Sequence, residues 1–471
     1  MARDGFFRLS ERVALRGWYL IPHAYYLADK IFAKNLTDEE FELLMLCDAE
    51  HALPSSDLLE SLIDRGIVEP CHKGEAPSEW SRFRFCENMY KPTANLMLTG
   101  KCNYNCLHCF NAADNAPLMS EWVFDDLVDL IAQARDCGLR AWLLTGGEPM
   151  VHPRFMDVIR EIYRQGMMVF EINTNGFFIT HEMLAEMREI GCSPRMKISF
   201  DGLGYHDWMR NRAGAERRTL DAIRLCVDEG FEVMVQTNLN RRNRDSMGET
   251  LELLDSMGVS QTRIIRTTEA PRWEQMAGDA CMTFEEYYAD GLGIARAYSQ
   301  GHHTMKLNLW EFLTLHPHSK SYYIDPIRNC GRLGFRPSIT RCDNLRSMIA
   351  ITSDGEVVPC MQMSGYFTAY GLSMGNLHET RLATFLNGGL YPEVTRRPIS
   401  QFTSVNEKCA ACPHLSKCVG GCPALGMLYS KPAGSFDGFY HEDVTKCLFF
   451  ENGWEKRIID ALPDWNNLSQ R

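Results

Sequence analysis

From Thr93 onward the chain alternates short apolar runs with longer segments whose apolar positions recur every three to four residues. That is the pattern of strands joined by crossover helices in a parallel sheet. It predicts strands at 93–99, 141–146, 168–174, 195–200, 231–238 and 261–267, and helices at 119–136, 153–165, 181–190, 217–229, 244–257 and 283–299. The α/β repeat stops near Leu315. Ahead of it, 12–18 and 24–32 read as strands rich in aromatic and branched residues. Thr37 caps a helix running to Cys47, with Glu40 completing a capping box, and Ser55 or Ser56 caps another over 58–64 that Gly66 ends before a short Ile-Val-Glu strand. This order predicts a small winged-helix-like module over 1–75, followed by a polar linker over 76–92 carrying Pro77 and Pro92.

A chain of 471 residues is long enough for two or three domains, and 45% hydrophobic with 23% charged residues is ordinary for a globular protein. The net charge of −12 argues against a large nucleic-acid surface, and the acidic residues around the first helix (Asp38, Glu39, Glu40, Glu42, Asp48, Glu50) would repel phosphates. No signal peptide or stretch of about 18 apolar residues is present, so the expectation is a cytoplasmic protein with no membrane span and no nucleic-acid partner.

Eighteen cysteines change the picture, because in a reducing compartment that number argues for metal rather than disulfides. Three stand as CxxxCxxC at Cys102, Cys106 and Cys109, just after the first predicted strand, and eight fall between Cys330 and Cys447. The other seven (Cys47, Cys71, Cys86, Cys137, Cys192, Cys226, Cys281) are read as small buried hydrophobes. Three thiolates on one loop hold three irons of a [4Fe–4S] cube and leave the fourth open to a ligand. A zinc knuckle would need a fourth ligand nearby, and only His108, between two of the cysteines, is available.

The triplet, with Tyr104 and His108 inside it, resembles the signature of the radical S-adenosylmethionine (SAM) superfamily. The resemblance implies an open, partial (β/α)6 TIM-like barrel over 93–314. It also implies that SAM chelates the open iron and is cleaved to a 5′-deoxyadenosyl radical, which removes hydrogen from substrate. Function would then sit at the carboxyl ends of the strands. Thr145-Gly-Gly-Glu-Pro149 ends the second strand and looks like the family's Gly-Gly-Glu motif, so Gly146, Gly147 and Glu148 are carried over to the SAM amine. Asn175, Ser199, Asp201 and Asn238 are polar tips on later strands suited to ribose or carboxylate. Arg210 is the expected carboxylate partner, with Arg212 a competitor, and Asn211 stands where relatives often carry glycine.

The later cysteines resemble the SPASM domain, the auxiliary-cluster extension of radical SAM enzymes acting on peptides and proteins, here over 315–450 before a terminal helix and tail at 451–471. The resemblance implies a first auxiliary [4Fe–4S] cluster on Cys330, Cys342, Cys360 and Cys422 and a second on Cys409, Cys412, Cys418 and Cys447, three cubes in all. Cys330 lies outside the core pattern, and without it the first auxiliary cluster would keep an open iron. Asp354-Gly355 reads as a hairpin turn setting Cys342 and Cys360 on facing strands. Met361 stands where sulfatase-maturating relatives carry an aspartate base, which argues against formylglycine formation.

The amino-terminal module resembles the precursor-recognition element of peptide-modifying enzymes, where a leader peptide adds a strand to a sheet edge. Together these imply an enzyme that forms a thioether or other cross-link in a ribosomally synthesised precursor peptide, fed electrons by a flavodoxin or ferredoxin. An alternative keeps the chemistry but takes a folded protein or a small cofactor precursor. A mere iron–sulfur electron carrier would have no use for the polar strand tips.

Overall fold

The computed structural model describes residues 5–109, 119–267, 271–328, 330, 334–430 and 435–469. In the amino-terminal part, β1 (Gly5–Leu9), β2 (Val13–Trp18), β3 (Ile21–Leu27) and β4 (Lys34–Asn35) precede α1 (Asp38–Met45), β5 (Asp48–Leu53), α2 (Asp57–Asp64), β6 (Val68–Cys71) and β7 (Arg84–Phe85). They pair as two sheets, β5-β1-β6 and β4-β3-β2-β7. The capping box forms as expected: Thr37 Oγ1 accepts from Glu40 N while Glu40 Oε2 accepts from Thr37 N. Ser56 is the cap of α2, accepting from Leu59 N.

This part is braced against one corner of the larger sheet. Trp18 Nε1 donates to Cys137 O at 3.1 Å, Tyr26 Oη to Gly138 O at 3.2 Å, and Asn88 Nδ2 to Cys137 O at 3.0 Å. Gly138 sits at φ 73°, and a Cβ there would lie 2.8 Å from Trp18 and from Cys86, so the contact needs glycine. The segment read as a linker is tied down too, since β7 pairs with β2.

The expected βα repeat follows: β8 (Thr93–Met97), α3 (Phe124–Asp136), β9 (Ala141–Thr145), α4 (Phe155–Arg164), β10 (Met168–Thr174), α5 (His181–Ile190), β11 (Arg195–Ser199), α6 (His206–Arg210), α7 (Ala215–Asp228), β12 (Val233–Leu239), α8 (Met247–Ser256), β13 (Gln261–Arg266), α9 (Pro271–Ala277) and α10 (Phe284–Gln300). All six strands pair in parallel and in chain order, the expected open, partial TIM-like barrel. One helix starts later than expected: 119–123 is extended, because Glu121 bridges Thr99 and its Oε1 accepts from Lys101 Nζ at 3.0 Å.

The sheet does not stop where the repeat stops. β14 (Lys306–Leu309) adds in parallel to β13, and β15 (Leu313–His316) and β16 (Ser321–Ile324) extend it as antiparallel hairpins. At the opposite edge, after α11 (Asp343–Ser347), β17 (Met348–Ile351) joins β8 in parallel and β18 (Val357–Val358) folds back on it. With β19 (Asn466–Asn467) beside β16, one twelve-stranded sheet runs through both halves of the chain. Arg-free apolar side chains from β8–β15 and from the helices over them form one continuous core. Gly355, at φ 85°, makes the expected turn between β17 and β18. The cysteines, however, lie just outside those strands: Cys342 precedes α11 and Cys360 precedes a short turn at Met361–Met363, because the ladder is only two residues deep. Among the described residues no helix is long and apolar enough to cross a membrane.

Candidate active site

The triplet loop leaves β8 and lies across the tips of the barrel strands. Gly147 N donates to Thr99 O at 2.7 Å and Glu148 N to Lys101 O at 2.9 Å, which fastens the loop to the end of β9. A Cβ on Gly147 would come within 2.4 Å of Lys101 O and 2.5 Å of Gly100 O, and one on Gly146 within 2.6 Å of Thr99 O. The two glycines therefore admit the loop's own backbone, a reason for them beyond the ligand approach expected from sequence. The Glu148 carboxylate is buried beneath: Oε1 accepts from Thr174 Oγ1 at 2.8 Å and Oε2 from Asn175 N at 2.7 Å. Burial outweighs these bonds and pushes its carboxyl up to about 7.

Cys102, Cys106 and Cys109 lie within electrostatic reach of one another, though they do not close on one point as the ligands of a single ion would. Burial pushes Cys102 up to about 12 and raises Cys106, and each feels the charge of its neighbours. Thiols so desolvated become thiolates only when a bound metal supplies the positive charge. Tyr104 N donates to Cys102 Sγ at 3.4 Å and Arg210 Nη1 to Cys106 Sγ at 3.8 Å.

Arg210 ends α6, and its Nε lies 2.7 Å from Asp201 Oδ2, wholly buried. The two atoms touch as ions without an aligned hydrogen bond. Burial opposes the charge on Asp201, but Arg210 and His206 hold its carboxyl far below the usual range. Asp201 Oδ1 accepts from Asn238 N at 3.0 Å, and Asn238 Nδ2 lies 3.1 Å from His108 Nε2. Burial pushes His108 down to about 3, so the ring is neutral. Asn175 Nδ2 reaches Asn103 Oδ1 at 2.7 Å. Asn211 adopts φ 50°, the left-handed conformation glycine supplies and asparagine tolerates, which accounts for its place there. Arg212 instead donates to Asn103 O at 3.1 Å and covers the Tyr104 and Phe177 rings.

Thus Cys102, Cys106, Cys109, His108, Asn175, Asp201, Arg210 and Asn238 form one connected group, with Gly146, Gly147 and Glu148 behind the loop and Ser199 at the tip of β11. Asn103 joins them, a residue sequence reasoning passed over although it lies inside the triplet. Within the group Asn103 Nδ2, Tyr104 Oη, His108 Nδ1 and Arg210 Nη2 are buried and have no hydrogen-bond partner among the described residues. Each orphaned atom costs on the order of 1–3 kcal/mol, which a polar ligand over the loop would recover. The residues fit a SAM-chelating cluster.

In the carboxy-terminal half, Cys409, Cys412, Cys418 and Cys447 line one cavity of about 230 Å³ with His414, Lys446 and Phe450. That is several times the roughly 30 Å³ a water molecule occupies, and four thiols on one cavity suit an iron–sulfur cube, with His414, Glu442, Asp443 and Glu451 also on its wall. Among the described residues no three His, Cys, Asp or Glu side chains close on a single point as ligands of one ion would. Burial pushes Cys409 up to about 12 and Cys447 to about 11. Cys360 and Cys422 each feel Cys342, and Cys360 and Cys422 pack beside Met361, Phe367 and Met427. Cys330 packs elsewhere, against Ile399, Phe402, Cys409 and Val419. Of the seven scattered cysteines five are buried, while Cys71 and Cys281 are only partly so.

Comparison with known proteins accords with this geometry. Residues 96–254 match the radical SAM superfamily and residues 342–413 match the SPASM iron–sulfur cluster-binding domain. An AdoMet-dependent heme synthase of Methanosarcina barkeri is 31% identical over 34% of this chain, which spans only 46% of that relative's length. An AdoMet-dependent heme synthase of Oleidesulfovibrio alaskensis is 26% identical over 71% of this chain and 82% of its own. In fold, the chain is similar to Streptococcus suis SuiB bound to precursor peptide SuiA, with a TM-score of 0.64 at 14% identity over 92% of this chain and 98% of that one. The chain is an enzyme that carries a radical SAM domain over residues 96–254 and a SPASM iron–sulfur domain over residues 342–413.

Proposed function

We propose that the chain binds SAM at the Cys102–Cys106–Cys109 loop and modifies a ribosomally synthesised precursor peptide, forming a thioether or other cross-link at an unactivated carbon. When bound, the cluster and SAM supply a 5′-deoxyadenosyl radical. Asn175, Ser199, Asp201, Arg210 and Asn238 then hold the sulfonium compound, and the buried Asp201–Arg210 pair fixes the guanidinium that meets its carboxylate. Cys409, Cys412, Cys418 and Cys447 hold one auxiliary cube. Cys342, Cys360 and Cys422 hold another, which Cys330 completes only by moving from its apolar packing. A small reduced flavodoxin or ferredoxin in the cytoplasm supplies the electron.

The observation that carries the peptide reading is the amino-terminal module. Its three-stranded sheet ends on β5, whose outer edge has no further strand among the described residues, while β6 at the other edge carries Pro70, which cannot donate. Glu50, His51 and Ala52 on β5 are exposed, and Met45 and Leu46 stand exposed just before it. A leader adding to β5 would displace Asp48, which accepts from the amides of Glu50 and His51. The likeness to SuiB, covering 92% of this chain, extends into this module.

The similarity to AdoMet-dependent heme synthases over 71% of the chain favours a second reading, a small cofactor precursor such as an iron porphyrin. Reduced enzyme with SAM is expected to release 5′-deoxyadenosine, and Ala at any of Cys102, Cys106 or Cys109 to abolish it. Peptides encoded beside the gene should bind the full chain and lose binding when residues 1–75 are deleted. Modification of a porphyrin with no peptide binding establishes the second reading instead.

A further inference from the structure

Between the two sets of carboxy-terminal thiols lies a buried arginine with no ion-pair partner among the described residues. Arg341 Nη1 donates to Phe439 O at 2.7 Å, and Nη2 to Gly420 O and to His441 O at 3.1 Å. Its plane covers Phe402, with Cζ 3.9 Å from the ring centre, and its Nε has no hydrogen-bond partner among the described residues. Gly420 is the middle of Cys418-Val-Gly-Gly-Cys422, the segment joining one set to the other. Val419, Gly420 and Gly421 have successive φ values of 53°, 75° and 69°, and a β-branched residue in that region is strained. A Cβ on Gly420 would lie 3.0 Å from Arg341 Nε and 2.9 Å from Phe402, so the left-handed run is what lets the guanidinium in.

The guanidinium feels the charge of Cys422 from one set and of Cys409 and Cys418 from the other. Asp443, the acid that affects it most, spends Oδ2 on Cys422 N at 2.8 Å and Oδ1 on Thr445. A buried cation whose hydrogen bonds all go to carbonyls is costly, and the further negative charge is what iron–sulfur cubes would bring. A cube in its resting state on four thiolates carries a net charge of about 2−.

We propose that Arg341 is the counter-charge shared by the two auxiliary clusters, a positioning residue that raises both their reduction potentials by stabilising the added electron. The inference rests on the cluster reading given above. It is tested by potentiometric titration followed by electron paramagnetic resonance, in the full chain with Cys102, Cys106 and Cys109 replaced by Ala so that only auxiliary clusters respond. Removing the charge in R341Q or R341M is expected to lower the reduced-to-oxidised ratio of both clusters about tenfold at fixed potential, equivalent to about 59 mV for one electron. R341K, which keeps the charge but loses the forked carbonyl contacts, should stay within about threefold of the parent. Unmoved ratios in R341Q and R341M with iron retained overturn the inference alone. If the charge-free variants hold no iron, R341K decides: a tenfold shift there overturns the proposal, and a parent-like value upholds it. A parent lacking auxiliary iron overturns the cluster reading and the inference with it.

Discussion

Gly147→Ala tests the packing of the cluster loop most sharply. The added Cβ would sit 2.4 Å from Lys101 O and 2.5 Å from Gly100 O, backbone atoms that cannot rotate away, whereas ordinary contact begins near 3.4 Å. The loop must therefore retreat about 1 Å, taking Cys102 with it, or the tip of β9 must yield. Overpacking of this kind costs about 1–3 kcal/mol. Displacing reacting groups by about 1 Å costs on the order of 100-fold in rate. The assay is 5′-deoxyadenosine released per minute by dithionite-reduced enzyme with SAM, read beside thermal melting and iron content. The expected result is a folded protein that keeps its auxiliary iron and loses about two orders of magnitude in SAM cleavage. Gly248→Ala is the control: it lies in α8 with nothing near its Cβ, and should be neutral or stabilising by up to about 1 kcal/mol. Wild-type cleavage by G147A would show that the loop does not rest on that glycine.

Asp201→Asn leaves the Arg210 guanidinium uncompensated, and urea unfolding should show a loss of about 3–5 kcal/mol. Because Asp201 is held below its unfolded value of 3.8, its share of stability is present above that pH and vanishes on acidification, a slope D201N should lack. Glu148 has the opposite sign. Raised from 4.5 to about 7, it favours the folded state in acid and loses that contribution as pH climbs between those values, so wild type minus E148Q should fall with pH over that window and level off above it. Replacing Cys409 and Cys418 together by Ala should remove about four iron and four sulfide of about twelve each per chain, read by chemical analysis, with the triplet's iron retained.

The barrel was legible because its strands are continuous apolar runs bounded by turns, and two of its helices carry side-chain caps, at Thr180 and Thr283, as Thr37 and Ser56 do for the helices of the amino-terminal module. β5 escaped because Asp-Ala-Glu-His-Ala-Leu has no branched or aromatic residue and bends through Ala49 at φ 68°. The extensions of the sheet escaped for another reason: β17 pairs with β8 across some 250 residues, and no local pattern records so distant a partner. In the site, spacing found the thiols and the polar tips. It could not show that Gly146 and Gly147 make room for backbone, that Cys330 packs away from Cys342, or that Arg341 lies between two groups of cysteines. The one available signal for Arg341 was its place immediately before Cys342.

The amino-terminal module grips the turn from Asp136 to Arg140, where α3 ends and β9 begins, and so stands at the far end of the barrel from the thiol loop. A seven-residue strand such as Met168–Thr174 spans about 23 Å at ~3.3 Å per residue. A tether that starts beyond that end of the barrel needs at least about seven extended residues to pass the barrel wall, and more to turn over its rim. The module would then act as a ruler: shortening the spacer of a bound peptide below that length should silence its reaction without loosening its hold, whereas a compact ring system has no way to be in both places at once.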